Sequence, residues 1–158
     1  MLDTEIKQQL AQYLELMEGD IVLQVSAGKD ETSQNILKLV NELASMSSRI
    51  TVETAALERT PSFCVNRPNE NTGITFAGVP LGHEFTSLVM ALLQVSGRAP
   101  KVEQKIIDQI QGIQDQLHFE TYISLSCHNC PDVVQALNIM SVLNPNITHT
   151  MIDGAAFK

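Results

Sequence analysis

The sequence predicts an α/β protein made of two tandem units, each a central mixed sheet flanked by helices, with the second unit cut short. Three observations carry this prediction. Apolar residues alternate between a period near 3.6 and a period near two along the whole chain. The order helix, strand, helix, strand of the first half recurs in the second at an offset of about 98 residues. Finally, an apolar, β-favouring run (117–125) leads into Cys127-His-Asn-Cys130 and then into helix-patterned residues.

The elements follow in order. Residues 2–17 read as an amphipathic helix striped by Leu2, Ile6, Leu10, Tyr13, Leu14 and Met17, capped by Asp3 or Thr4 and ended by Gly19-Asp20. Ile21 to Ser26 is a β-branched, mostly apolar strand. Gly28-Lys-Asp30 is a turn, and a helix over 31–46 presents Ile36, Leu39, Val40 and Leu43 on one face. Residues 50–54 alternate as a half-buried strand. Thr60-Pro61 precedes a strand over 62–66, a polar loop with Pro68, Asn69, Asn71 and Gly73 follows, and 74–77 pairs back. Gly78, Pro80 and Gly82 lead to a helix over 83–95 with Phe85, Leu88, Val89 and Leu92 on its apolar face. Residues 96–100 read as a linker.

There the pattern restarts. Residues 101–113 form an amphipathic helix, 117–125 a strand, 131–143 a helix and 147–152 a strand. The apolar face of the 131–143 helix is read as Val133, Leu137, Met140 and Leu143. Residues 1–97 thus form a first unit and 98–158 a second, by element order alone. The first has Gly28-Lys-Asp-Glu-Thr32 where the second has its cysteines, so it is redox-inactive there. The second lacks counterparts of the final two strands and helix. The expectation is a fragment of a longer chain, or a sheet edge covered by another copy in a homodimer.

Composition narrows the function. The chain has 158 residues, 44% of them hydrophobic, enough to bury a core. A net charge of −8 argues against nucleic acid and against an anionic membrane surface. No apolar run approaches the roughly 20 residues of a membrane span. The acidic, polar start is no signal peptide, and three cysteines, two of them in one C-x-x-C, fit a cytoplasmic protein.

A strand, a C-x-x-C and a helix form the arrangement of a thioredoxin-like redox centre. Cys127 is expected at the helix N-cap, where free N–H groups and the dipole favour the attacking thiolate. Cys130, three residues on, is placed to attack the mixed disulfide and release the product. Pro131 falls in the first turn, where its missing N–H costs little. C-x-x-C is also half of a zinc site, but Cys64, His118, His128 and His149 are scattered and offer no second half, so no metal site is expected. The alternative left open is a non-catalytic thioredoxin-like adaptor whose C-x-x-C is structural or holds zinc. A free-standing glutaredoxin-like enzyme using a small thiol is a third reading.

Two runs are more specific: Phe76-Ala-Gly-Val-Pro-Leu-Gly-His-Glu-Phe-Thr-Ser-Leu88 and Ser124-Leu-Ser-Cys-His-Asn-Cys-Pro-Asp-Val-Val-Gln-Ala-Leu-Asn138. With them the whole chain resembles the N-terminal domain of the F subunits of bacterial alkyl hydroperoxide reductases. The resemblance implies two fused thioredoxin-like (glutaredoxin-like) units, a dithiol at Cys127 and Cys130, and an oxidoreductase component of peroxide detoxification. It implies electrons passing from NADH and FAD, held in later domains and not by this chain, through a C-x-x-C beside the flavin to this dithiol. The partner it implies is a peroxiredoxin disulfide. It further implies that Glu84 faces the dithiol as its acid/base, that Pro61 is a cis-proline, and that His128 tunes the thiolate or shapes the partner groove. Cys64 reads as a buried small hydrophobe rather than a redox partner.

Overall fold

The computed structural model describes residues 2–157 of the chain. Helix α1 (Thr4–Leu14) starts where the Asp3 carboxylate accepts the Ile6 N–H at 2.8 Å. It buries Leu10 and Leu14, whereas Tyr13, assigned above to the same stripe, is 45% exposed. Strand β1 (Ile21–Ser26) leads to α2 (Glu31–Met46), whose buried stripe is the expected Ile36, Leu39, Val40 and Leu43, joined by Ser33. Strands β2 (Ile50–Thr54), β3 (Ser62–Asn66) and β4 (Ile74–Ala77) follow. The expected helix over 83–95 is a single 3-10 turn, Gly82–Glu84, continued by α3 (Phe85–Val95). Then come α4 (Gln104–Gln111), β5 (Leu117–Ile123), α5 (Cys130–Leu143) and β6 (Ile147–Asp153).

The mixed sheet flanked by helices is present, but the strands of the two halves join in one six-stranded sheet, in the order β2-β1-β3-β4-β6-β5. β2 and β1 are parallel, β1 and β3 antiparallel, and β3 and β4 antiparallel. The join is parallel, from Ile74 opposite His149 to Ala77 opposite Ile152, and β5 then pairs in parallel with β6. Gly73 makes the close approach possible. Its φ is +85°, and a Cβ there would stand 2.9 Å from Thr148 Cγ2, while its carbonyl accepts the His149 N–H at 2.8 Å. The strand edge expected to lack a partner in the second half lies at β5, since β6 is paired on both sides.

One face of the sheet carries Ile21, Leu23, Val25, Phe63, Val65, Ile74, Phe76 and Met151. It forms a single apolar cluster with the buried residues of α1, α2, α3 and α5. Phe63 and Phe76 stack at its centre, their rings 5.4 Å apart. Helix α4 contributes no buried residue, and its Ile106 is 42% exposed. The opposite face is polar. Gln24, Cys64, Thr75, Thr150 and Glu120 stand opposite one another across it. The segment 55–61 crosses this face, tied by Arg59, which donates to Glu120 Oε2 at 2.8 Å. That guanidinium holds the Glu120 carboxyl below the usual range, with His118 as the second cause.

Helix α5 corrects an expectation. Val134, Asn138 and Ser141 are its buried residues, while Val133 is 49% exposed. Val134 joins the core, with Cys130 and Val142 packed against it, and the same side of the helix carries a buried polar pair. Asn138 Oδ1 lies 2.8 Å from His149 Nδ1, and the other ring nitrogen lies 2.8 Å from Thr121 Oγ1.

Candidate dithiol site

The apolar run of β5 ends at Ile123, and residues 124–129 turn the chain into α5. Cys130 is the first residue of that helix and Asn129 its N-cap, with Pro131 in the first turn. Cys127 therefore stands two residues before the position expected for it. It still serves the helix end: its Sγ accepts the Cys130 N–H at 3.2 Å. The turn formed by His128 and Asn129 brings the sulfur back over the first free N–H groups, which is why a residue outside the helix caps it. Cys127 and Cys130 are paired as a disulfide, their Cα atoms 5.6 Å apart. Both are partly buried, and Cys130 also packs against the main core.

The start of α3 comes from the other half of the chain and forms one wall of the site. Gly82 has φ +60°, and a Cβ there would meet the Leu125 carbonyl oxygen at 3.0 Å. The His83 N–H donates to that carbonyl at 3.2 Å. The His83 and His128 rings meet edge to face, centroids 4.5 Å apart. His83 is exposed yet has this partner. Beside it Glu84 is fully buried. Burial pushes its carboxyl above the usual range, against the Ser87 hydrogen bond and the neighbouring His83, which lower it. The Ser87 hydroxyl donates to Glu84 Oε1 at 2.8 Å, and Oε2 has no hydrogen-bond partner.

Thr60-Pro61 is cis. Pro61 is buried at the start of β3, and the Thr60 hydroxyl lies 2.5 Å from that of Ser26. It therefore sits in the first half, beside the turn that takes the place of the C-x-x-C. In that turn the Asp30 carboxylate accepts the Ser33 N–H and hydroxyl, at 3.3 and 2.5 Å, and caps α2. The same contacts hold the Asp30 carboxyl below its usual range. Cys64 is half-buried rather than buried. Its thiol is raised by burial, it lies 3.2 Å from Thr75 Oγ1, and it lines a cavity of about 80 Å³ beneath Arg59.

Among the described residues, no group of three or more His, Cys, Asp or Glu side chains is placed to hold a metal ion. Among the described residues, no helix is long and apolar enough to cross a membrane. The N-terminus of α2 is not open to a dinucleotide. A pyrophosphate needs a free helix N-terminus behind a strand, and at α2 the Asp30 carboxylate already fills that place.

Sequence reasoning missed Ser87, Gln135 and the Asn138–His149 pair. Ser87 lies three residues after Glu84, a spacing that permits the bond, but no local signal marks Asn138 or His149. His149 makes a testable contribution. Burial, with His118 nearby, lowers it to about 4. The unfolded chain takes up this proton near pH 6.5 and the folded one only near 4, so stability falls as pH drops through that window. The expected loss is about 2–3 kcal/mol. His149→Gln should flatten urea-unfolding stability between pH 6.5 and 4; an unchanged slope would refute the assignment.

No protein-family model matches the chain. Curated relatives align over all of it. One from Ferdinandcohnia aciditolerans, named NADH dehydrogenase, is 74% identical, and one of the same name from Bacillus subtilis is 73% identical. A Staphylococcus epidermidis protein, named as the F subunit of alkyl hydroperoxide reductase, is 65% identical. The chain spans only 30 to 31% of these proteins' length. Among solved structures, the N-terminal NTD_N/C domain of the alkyl hydroperoxide reductase AhpF from Enterococcus faecalis superposes with a TM-score of 0.90 at 29% identity. That match covers 99% of this chain and 82% of that one. A protein disulfide oxidoreductase from Aeropyrum pernix shares the fold, with a TM-score of 0.79 at 20% identity over 96% of this chain and 76% of that one. In sequence along its whole length, and in its thioredoxin-like fold, the chain thus matches the N-terminal part of the F subunit of alkyl hydroperoxide reductase.

Proposed function

We propose that this chain is the dithiol–disulfide exchange module of a longer cytoplasmic peroxiredoxin reductase, with residues 1–97 a redox-inactive unit that buttresses the unit over 98–158. The observation that carries the reading is the Cys127–Cys130 pair at the start of α5, with a buried carboxyl on the adjoining turn. In this reading FAD and NADH belong to the remainder of the longer protein, and a flavin-side dithiol reduces Cys127–Cys130. The relatives' two names, NADH dehydrogenase and the F subunit of alkyl hydroperoxide reductase, fit one such enzyme described from its two ends.

The roles of the two cysteines follow from their surroundings. Cys127 is the attacking thiolate, because its sulfur receives the Cys130 N–H and the positive end of the helix dipole. It bonds to one sulfur of the peroxiredoxin disulfide, and the other sulfur leaves as a thiolate. Cys130, closer to the core, then attacks Cys127 Sγ and expels the second thiolate, which leaves the peroxiredoxin reduced and this pair oxidised. Glu84 takes the Cys130 proton as that attack proceeds. The exposed His128 and Val133 form the rim that a partner meets.

The test is a titration of the chain against dithiothreitol redox buffers, followed by alkylation and mass analysis. A reversible two-electron transition confined to Cys127 and Cys130, with Cys64 indifferent, is expected. Thiols that never pair, or that become reactive only after a chelator, would overturn the reading in favour of the adaptor.

A further inference from the structure

The Gln135 amide on α5 donates to the Ser87 hydroxyl oxygen at 3.3 Å, and the Ser87 hydroxyl donates to Glu84 Oε1 at 2.8 Å. Ser87 and Glu84 are both fully buried. A hydroxyl has one hydrogen. With Gln135 occupying a lone pair on Ser87 Oγ, that hydrogen is directed at Glu84. Oε1 is thereby engaged as an acceptor, and Oε2 is left as the buried atom without a partner. The chain of bonds crosses from the half of the molecule that carries the carboxyl to the helix that starts with Cys130.

We propose that Ser87 and Gln135 are positioning residues for the dithiol reaction. They fix the Glu84 carboxyl so that Oε2 alone exchanges the proton, and they tie that carboxyl to the helix bearing Cys130. The proposal rests on the reading of Glu84 as acid/base. In the step concerned, the Cys130 sulfur bonds to Cys127 Sγ, the bond from Cys127 to the substrate sulfur breaks, and the Cys130 proton passes to Oε2. The other titratable groups on the elements packed around Glu84 are His83 on its own turn, His128, Cys127 and Cys130 on the facing loop and helix start, and Asp132 in the first turn of α5. None of them touches Ser87 or Gln135 by hydrogen bond or ion pair among the described residues.

The experiment uses the full-length protein, reduced, freed of reductant and mixed with oxidised glutathione. Acid quenching and mass analysis of the peptide carrying both cysteines give the lifetime of the Cys127–glutathione disulfide against pH. Removing the Ser87 donor destabilises the carboxylate, so Glu84 holds its proton to higher pH. Ser87→Ala should raise the midpoint of the resolution step by about one pH unit. Gln135→Leu, at a half-buried position that does not threaten folding, should move it the same way by less. Ser87→Thr should restore the original profile, and Ser87→Ala should add nothing to Glu84→Gln. If Glu84→Gln moves the profile while Ser87→Ala and Gln135→Leu leave it in place, the relay is overturned and the role of Glu84 stands. If Glu84→Gln leaves the profile unchanged, the role of Glu84 and the relay fall together.

Discussion

Cys127→Ser is expected to abolish disulfide exchange, and Cys130→Ser is expected instead to accumulate a stable mixed disulfide between Cys127 and a disulfide-form partner. The asymmetry is the prediction, since the two cysteines are close neighbours with unequal environments. The Cys127 sulfur is held by the Cys130 N–H at the helix start, and Cys130 leans on the core. Serine at 127 leaves no thiolate facing the helix-start N–H, and Cys130, packed against the core, lacks that donor. Serine at 130 leaves the attack intact and removes the thiol that releases the product. Non-reducing electrophoresis and mass analysis with a disulfide-form peroxiredoxin distinguish the two. Exchange persisting in Cys127→Ser, or adducts forming on Cys130 in the unaltered protein, would reverse the assignment.

Phe76→Ala is expected to destabilise the whole molecule by about 3–5 kcal/mol. Phe76 is fully buried, stacks on Phe63 within the first half, and sits opposite Met151 of β6 across the join. Loss of the ring leaves a cavity at the seam of the sheet and loosens both halves together. Urea unfolding by circular dichroism gives the magnitude. Hydrogen exchange gives the extent: amides of β5 and β6 should quicken along with those of β1. Faster exchange in β1 alone would show that the halves unfold separately, contrary to what a shared sheet and a single apolar cluster require.

What the sequence made legible was local. The element order, the Asp3 cap, the loop over 67–73 and the helix that begins at the C-x-x-C all follow from residues close to one another in the chain. The parallel join of β4 to β6 was not legible, because it pairs segments more than seventy positions apart and leaves no periodicity behind. Helix α5 defeated the hydrophobic count for a related reason. Val133, Leu137 and Met140 have the spacing of an apolar face, but Val134, Cys130 and Val142 are the side that meets the core, and there Asn138 bonds to His149, a partner on another strand that no local pattern marks. The strand, C-x-x-C, helix order puts Cys127 at the cap; the turn through His128 shifts the helix start to Cys130. In the first half, Glu84 was found by resemblance, whereas Ser87 and Gln135 gain their meaning only once α3 and α5 lie side by side.

The parallel join between β4 and β6 has a mechanical consequence. A pair of domains strung on a flexible tether bends at the tether, and the angle between them is free. Here the segment near residue 100 is a tether in sequence only, because the backbone ladder from Ile74 to Ala77 clamps the two halves edge to edge. The sheet behaves as a stiff plate with Cys127 and Cys130 mounted near one rim. The orientation of the sulfurs relative to the far edge of β2 is therefore fixed by the sheet itself, whichever way the plate as a whole is turned.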